Sequence, residues 1–209
     1  MHITLIGTGN MGSAFARQLS QAGHTVRITG RDLAKAQALA SQFPNVEARP
    51  AAQAAAGSEV VIVATAYADA AAALRSLGDL SGKVVIDITN PLTPDYMGLT
   101  IGHTTSAAEE IARALPGAQV AKAFNTLFAQ VLADGPVFAG DRRASVFVAS
   151  DSERARQTAI ALAHSLGFET VDAGGLVNAR YLEPLAGLNI YLGYGAGLGT
   201  SIAPAWIRK

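Results

Sequence analysis

The chain has 209 residues, enough for one sizeable core or a core with a small appendage. Half of its residues are hydrophobic and only 15% are charged, which argues against disorder and suits a buried parallel sheet. Sixteen basic and sixteen acidic residues leave no net charge, and there is no cysteine. This gives no electrostatic footprint for nucleic acid or an anionic membrane, and it excludes thiol chemistry, disulfides and thiolate metal sites.

The N-terminus enters a strand directly, without the basic region and long apolar run of a signal peptide. No apolar run reaches the roughly 18 residues of a membrane span. The expectation is a cytoplasmic protein with no membrane or nucleic-acid partner and no metal site.

The first strand, 2–6, breaks into Gly7-Thr8-Gly9-Asn10-Met11-Gly12 and continues as a helix over 13–22. A G-x-G-x-x-G between strand and helix is the dinucleotide fingerprint in its proper context. Gly7 allows the tight turn and Gly9 lets the backbone approach a pyrophosphate. Gly12 lets the helix pack closely on the strand, with its free N–H groups and positive dipole end toward the phosphates.

A turn at 22–24 leads to a second strand, 25–29, with His24 read as a turn residue. Asp32 caps a helix over 33–43. A short strand at 46–48 and an Ala-rich helix at 50–56 follow. Residues 60–64 give the strongest buried-strand signal, and 67–77 a helix; 83–88 is another central strand. The Pro/Gly-rich stretch 90–103 is long for a plain connection and is expected to face a ligand. Beyond it come helix 106–115, strand 119–124, strand 145–149, helix 152–166, strand 169–172 and one long helical stretch, 176–198. Such alternation predicts an α/β fold: a Rossmann-type doubly wound parallel sheet with a small C-terminal helical extension.

An NAD site ends its second strand on an acidic residue that bonds the ribose hydroxyls. Here Thr29, Gly30 and Arg31 hold that place, with Lys35 one turn further on. A guanidinium pairs with a 2′-phosphate that a carboxylate would repel, so the expected cofactor is NADP(H).

Ligands of such sheets lie beyond the carboxyl ends of the strands. Those ends carry Ala64, Thr65, Ala66 and Tyr67, then Asn90 and Pro91, then Ala123, Phe124, Asn125 and Thr126. They offer amides, hydroxyls and an aromatic ring, but no His–carboxylate pair and no lysine with an evident partner. His103 is read as a loop hydrogen-bonder and His164 as a surface or packing residue. No catalytic acid or base is assigned. Hydride exchange between nicotinamide and a flavin-type ring needs chiefly two closely stacked rings and a donor or two, and it fits that absence.

At these residues the chain resembles the NADP-dependent oxidoreductases typified by the NADPH:coenzyme F-420 reductases. It is also similar to the NADPH-binding domain of the STEAP metalloreductases. The resemblance rests on residues 7–12, 29–32 and 122–126, and on 172–176, 178–180 and 182–185. It implies hydride transfer between NADP(H) and a flavin or deazaflavin ring, with FMN, FAD or coenzyme F-420 as the second ligand. Nicotinamide contacts fall at 64–67 and around Asn90, and the second ring near 124–127. The deazaflavin reductases carry a tryptophan and a histidine where this chain has Tyr67 and Asn125, and the 124–126 stretch looks more like the STEAP domain.

The expected division is an NADP-binding domain over 1–122 and a C-terminal subdomain over 123–209 that completes the sheet and covers the active site. Close-packing glycines and exposed apolar residues near the C-terminus point to a homodimer. Two other functions fit the nucleotide half: an NADP-dependent imine or hydroxy-acid reductase, and a non-catalytic NADP(H)-binding sensor module.

Overall fold

The computed structural model describes residues 1–207. Six strands form one parallel sheet: β1 (His2–Ile6), β2 (Thr25–Thr29), β3 (Val46–Ala48), β4 (Val60–Val63), β5 (Val84–Asp87) and β6 (Gln119–Lys122). Their spatial order is β3-β2-β1-β4-β5-β6. The chain leaves the edge at β3 and re-enters beside β1, so the order reverses between β1 and β4. A crevice opens beyond the strand ends at such a reversal.

Strand periodicity builds two cores from one sheet. Ile3, Leu5, Val60, Ile62, Val84 and Ile86 face one side, while Ile6, Val61, Val63 and Val85 face the other. All four residues of β4 are buried, as its unbroken β-branched run implied. The first face is covered by α1 (Asn10–Gln21), α2 (Leu33–Ala40), α6 (Ala129–Asp134) and α7 (Glu153–Ser165). The second is covered by α3 (Ala51–Ala54), α4 (Tyr67–Arg75) and α5 (Ala107–Ala114).

Three features depart from the sequence reading. The helix α6 is new; it is only six residues long and packs on α1, where Gln18 donates to the Ala133 carbonyl at 2.9 Å. Strands β7 (Ser145–Val148) and β8 (Glu169–Asp172) do not extend the order of the main sheet. They pair in parallel with each other and meet β6 through a single antiparallel bridge, Lys122 to Ala149.

The long C-terminal helix is also interrupted. A 3-10 turn at Leu176–Asn178 leads into α8 (Ala179–Ile190), and a wide π-type turn follows at Tyr191–Gly195. A β-carbon at Gly193 would stand 2.5 Å from the Phe128 ring, so glycine lets this turn close onto α6. Among the described residues no helix is long and apolar enough to cross a membrane.

Candidate functional site

A cleft of about 630 Å³ lies over the reversal between β1 and β4. Its walls include Gly7, Thr8 and Gly9 from the first turn, Thr29, Gly30, Arg31 and Lys35 from the second, and Ala64, Thr65 and Ala66 from the end of β4. Residues from three separate turns thus meet in one space.

The three glycines differ in what they avoid. Gly7 sits at φ +125, where a β-carbon would stand 2.3 Å from the Ala64 carbonyl oxygen. At Gly12 the same atom would lie 2.1 Å from the Gly7 carbonyl oxygen. Among the described residues, its own chain neighbours aside, nothing lies within 4 Å of a β-carbon built on Gly9, although Gly9 starts α1. Gly7 and Gly12 therefore shape the protein, and Gly9 leaves room beside the positive end of a helix.

At the β2 end the Thr29 hydroxyl is buried without a partner among the described residues, while its carbonyl accepts from the Gly7 N–H at 2.9 Å. The Arg31 side chain is 91% exposed and stands 3.5 Å from Asp69 across the cleft. Asp32 also lines the cleft and accepts from the Lys35 amide at 3.2 Å as the cap of α2. Asn10 lines a second groove, of about 550 Å³, between α1 and α6. Met11 is half-buried against the core and Gly12 is buried.

Beyond β5 and β6 the remaining residues form a knot of amides. Asn90 and Asn125 are reciprocally bonded: Asn90 Nδ2 donates to the Asn125 carbonyl at 2.8 Å, and Asn125 Nδ2 to Asn90 Oδ1 at 3.0 Å. Asn125 Nδ2 also donates to the Leu182 carbonyl of α8, at 2.9 Å. Asn125 Oδ1 and Thr126 Oγ1 are buried with no partner among the described residues. Pro91 is buried beside them.

Ala123 and Phe124 are fully buried, and the Phe124 ring packs edge-on to Phe15 and Phe168 at 5.2 and 6.3 Å. That ring belongs to the core. Its backbone, at φ 58, is in the left-handed region that a bulky residue rarely adopts, and this turn aims Asn125. Tyr67 opens α4 half-buried; burial first, then the negative charges of Glu110, Glu183 and Asp87, pushes its phenol above the ordinary value. It remains a hydrogen-bond donor at neutral pH.

Sequence reasoning found no partner for a lysine, and the structure corrects this. Lys122 is fully buried, with Nζ 2.8 Å from both Asp87 Oδ2 and Glu183 Oε1, and it donates to the Thr89 carbonyl at 2.5 Å. The three charged residues lie 35 and 61 positions apart in the chain, a spacing no local motif reveals. His103 is exposed and its ring makes no hydrogen bond among the described residues. His24 is more than a turn residue: it is buried, with Nε2 2.8 Å from Ser165 Oγ.

The profile of the family described as "NADP oxidoreductase coenzyme F420-dependent" matches residues 2–91. The F420-dependent NADP reductase of Methanothermobacter marburgensis is 35% identical over 204 residues, covering 89% of both chains. Metalloreductase STEAP3 of Rattus norvegicus is 29% identical over 184 residues, 88% of this chain, which spans 36% of that protein's length. A crystal structure of a putative F420-dependent NADP reductase from an Arthrobacter species superposes with a TM-score of 0.88 at 34% identity, covering 99% of each. An imine reductase from a Pseudomonas species shares the fold, with a TM-score of 0.67 at 22% identity over 94% of this chain and 63% of that one.

Proposed function

Because the chain belongs to the family of coenzyme F-420-dependent NADP reductases, we propose that it moves a hydride between NADP(H) and a flavin or deazaflavin ring. The observation that carries this reading is the open space over Gly9 at the start of α1. A residue that avoids no atom of its own chain, at a helix N-terminus beside a large cleft, leaves room for a phosphate.

In this reading the amides of the first turn of α1 hold the pyrophosphate, and Arg31 and Lys35 face the 2′-phosphate. The unpartnered Thr29 hydroxyl serves the ribose end. The Asp32 carboxylate also lines the cleft, its charge partly offset by the α2 N-terminus that it caps, so the phosphate is held by Arg31 and Lys35 against it. The nicotinamide ring lies toward residues 64–67 and Asn90, and supplies or receives the hydride. The second ring stacks near 124–127, where Asn125 and Thr126 offer the free polar atoms.

The chain's own contribution is orientation. Holding two rings at reactive distance converts an encounter into a unimolecular step, and the proton that balances ring reduction comes from water. Exposed Tyr181, Leu188, Tyr191 and Tyr194 on and after α8 support pairing with a second copy, which light scattering would read as a doubled mass.

The test is oxidation of NADPH by the purified protein with FMN, FAD, riboflavin and coenzyme F-420 in parallel, NADH serving as the control. Turnover with a ring acceptor, and preference for NADPH, is the expected result. Turnover with a cyclic imine or a keto acid alone would replace the acceptor assignment. Tight NADPH binding without turnover would make the protein a sensor module.

A further inference from the structure

Lys122 is a buried charge that the reading above does not use. Its Nζ donates to Asp87 Oδ2 and to the Thr89 carbonyl, and Glu183 Oε1 lies 2.8 Å away as a third, ionic partner. Each acceptor belongs to a different piece of the structure. Asp87 ends β5, and its other oxygen accepts from the Thr89 N–H at 2.8 Å. Thr89 is thus held by its amide and its carbonyl at once.

Glu183 lies on α8 and accepts from the Ala107 and Ala108 amides at 2.9 and 3.2 Å. Its carboxylate therefore caps the positive end of α5 while pairing with the lysine. A buried ion cluster of this kind is weak evidence for stability, since an apolar replacement of the same shape is often as good. It is better evidence that a geometry is being fixed.

The geometry it fixes is that of Asn125. Thr89 is followed directly by Asn90, and Glu183 is preceded directly by Leu182. Asn90 Oδ1 and the Leu182 carbonyl are the two acceptors that hold Asn125 Nδ2, so both anchors of that amide sit one residue from a group held by Lys122. With Nδ2 engaged twice, the carboxamide cannot turn over without losing both bonds. Its Oδ1 is left buried, an acceptor for which no described residue supplies a donor.

We propose that Lys122 is a positioning residue, which through Thr89–Asn90 and Leu182–Glu183 aims Asn125 Oδ1 at an amide N–H donor on a bound planar ring. Two rings of the proposed reaction carry such a donor: the nicotinamide, on its carboxamide, and the flavin-type acceptor, on its imide. The role rests on the reaction proposed above, but its test does not need turnover.

The full-length protein and three variants are titrated with NADPH, with 2′,5′-ADP, which lacks the nicotinamide, and with FMN. The variants are K122M, the charge-neutral D87N/K122M/E183Q, and N125L. One lost neutral hydrogen bond weakens a ligand about three- to tenfold. That loss is expected for NADPH with 2′,5′-ADP unchanged, which assigns the donor to the nicotinamide carboxamide. The same loss confined to FMN assigns it to the imide of the acceptor ring.

Parallel weakening of NADPH and 2′,5′-ADP would mean that the cluster merely holds the fold together, and would overturn the proposal. So would unchanged binding of all three ligands. Where K122M leaves two carboxylates unpaired and does not fold, the neutral triple variant and N125L decide. N125L alone sinks the proposal if it binds NADPH and FMN as the parent does. A parent that turns over no ring acceptor would overturn the proposed reaction, while the NADPH comparison would still decide the role of Lys122.

Discussion

The carbonyl oxygen of Gly7 stands 2.1 Å from where a β-carbon on Gly12 would lie. Position 12 is thus closed to every side chain by the backbone of the turn before it. Position 9, three residues earlier and in the same motif, is open. Gly12→Ala is expected to destabilise the protein by about 1–3 kcal/mol, as overpacking does, measured by denaturant unfolding. Gly9→Ala keeps an accessible backbone, at φ −79, and is expected to hold stability within about 1 kcal/mol while losing NADPH affinity. Equal stability loss in the two variants would contradict this division of roles.

Arg31 and Asp69 face each other at 3.5 Å, but the guanidinium is 91% exposed and this pair adds little to stability. Its value lies in the cleft. Arg31→Ala is expected to weaken NADPH by about 1.5–3 kcal/mol, the range for a charged hydrogen bond, and to leave NADH unchanged. Asp69→Asn removes a carboxylate from beside the proposed 2′-phosphate position and is expected to tighten NADPH. Fluorescence titration of both cofactors checks both variants; equal loss for NADPH and NADH in Arg31→Ala would remove the phosphate assignment.

Arg180 of α8 donates to Glu109 of α5 from Nε and Nη2, at 2.9 and 2.7 Å. The Arg180 hydrogen bond, opposed by burial and helped by Ser106, holds the Glu109 carboxyl below its ordinary value of 4.5. A depressed carboxyl stabilises the folded state above its unfolded pKa, and that contribution fades as pH falls through the folded one. Arg180→Ala is expected to lower stability at pH 7, because the Glu109 carboxylate loses its paired guanidinium. The difference from the parent should shrink as pH drops below 4.5, followed by thermal melts across that range.

His24 works in the same direction at higher pH. Burial, and then the positive N-terminal amine beside it, lowers its pKa from 6.5. The unfolded chain binds this proton first, so stability is complete above pH 6.5 and declines as pH falls through the depressed folded value. His24→Gln is expected to flatten that decline relative to the parent in chemical unfolding at pH 7 and pH 5.5.

Much of the framework was readable because its signals are local. Residues 60–64 announce a buried strand by β-branching alone, and the 7–12 turn announces itself by glycine spacing. Asp32 could be read as a cap from its place before an apolar helix, and it is one. The parts that escaped depend on contacts distant in sequence. Strand alternation does not say which sheet a strand joins, so it cannot separate β7 and β8 from the main sheet. The helix α6 is short enough that its packing on α1, rather than its pattern, decides it. A single helix over 176–198 ignored what Gly193 does when Phe128 lies 2.5 Å from its missing side chain. At the site, Phe124 reads as an aromatic beside a ligand, yet its ring fills the core and its backbone turn is what matters. No partner for Lys122 is evident in the sequence, because Asp87 and Glu183 are joined to it only by the fold.

The central claim is direct hydride transfer from NADPH to a ring acceptor. Anaerobic stopped-flow mixing of the protein with NADPH deuterated at either C4 position, against a ring acceptor it turns over, tests this most directly. A primary isotope effect on acceptor reduction is expected with one of the two stereoisomers and none with the other, because the proposed site fixes which face of the nicotinamide meets the second ring. Reduction at the same rate with both, or NADPH bound through many seconds without loss of its absorbance, would contradict it.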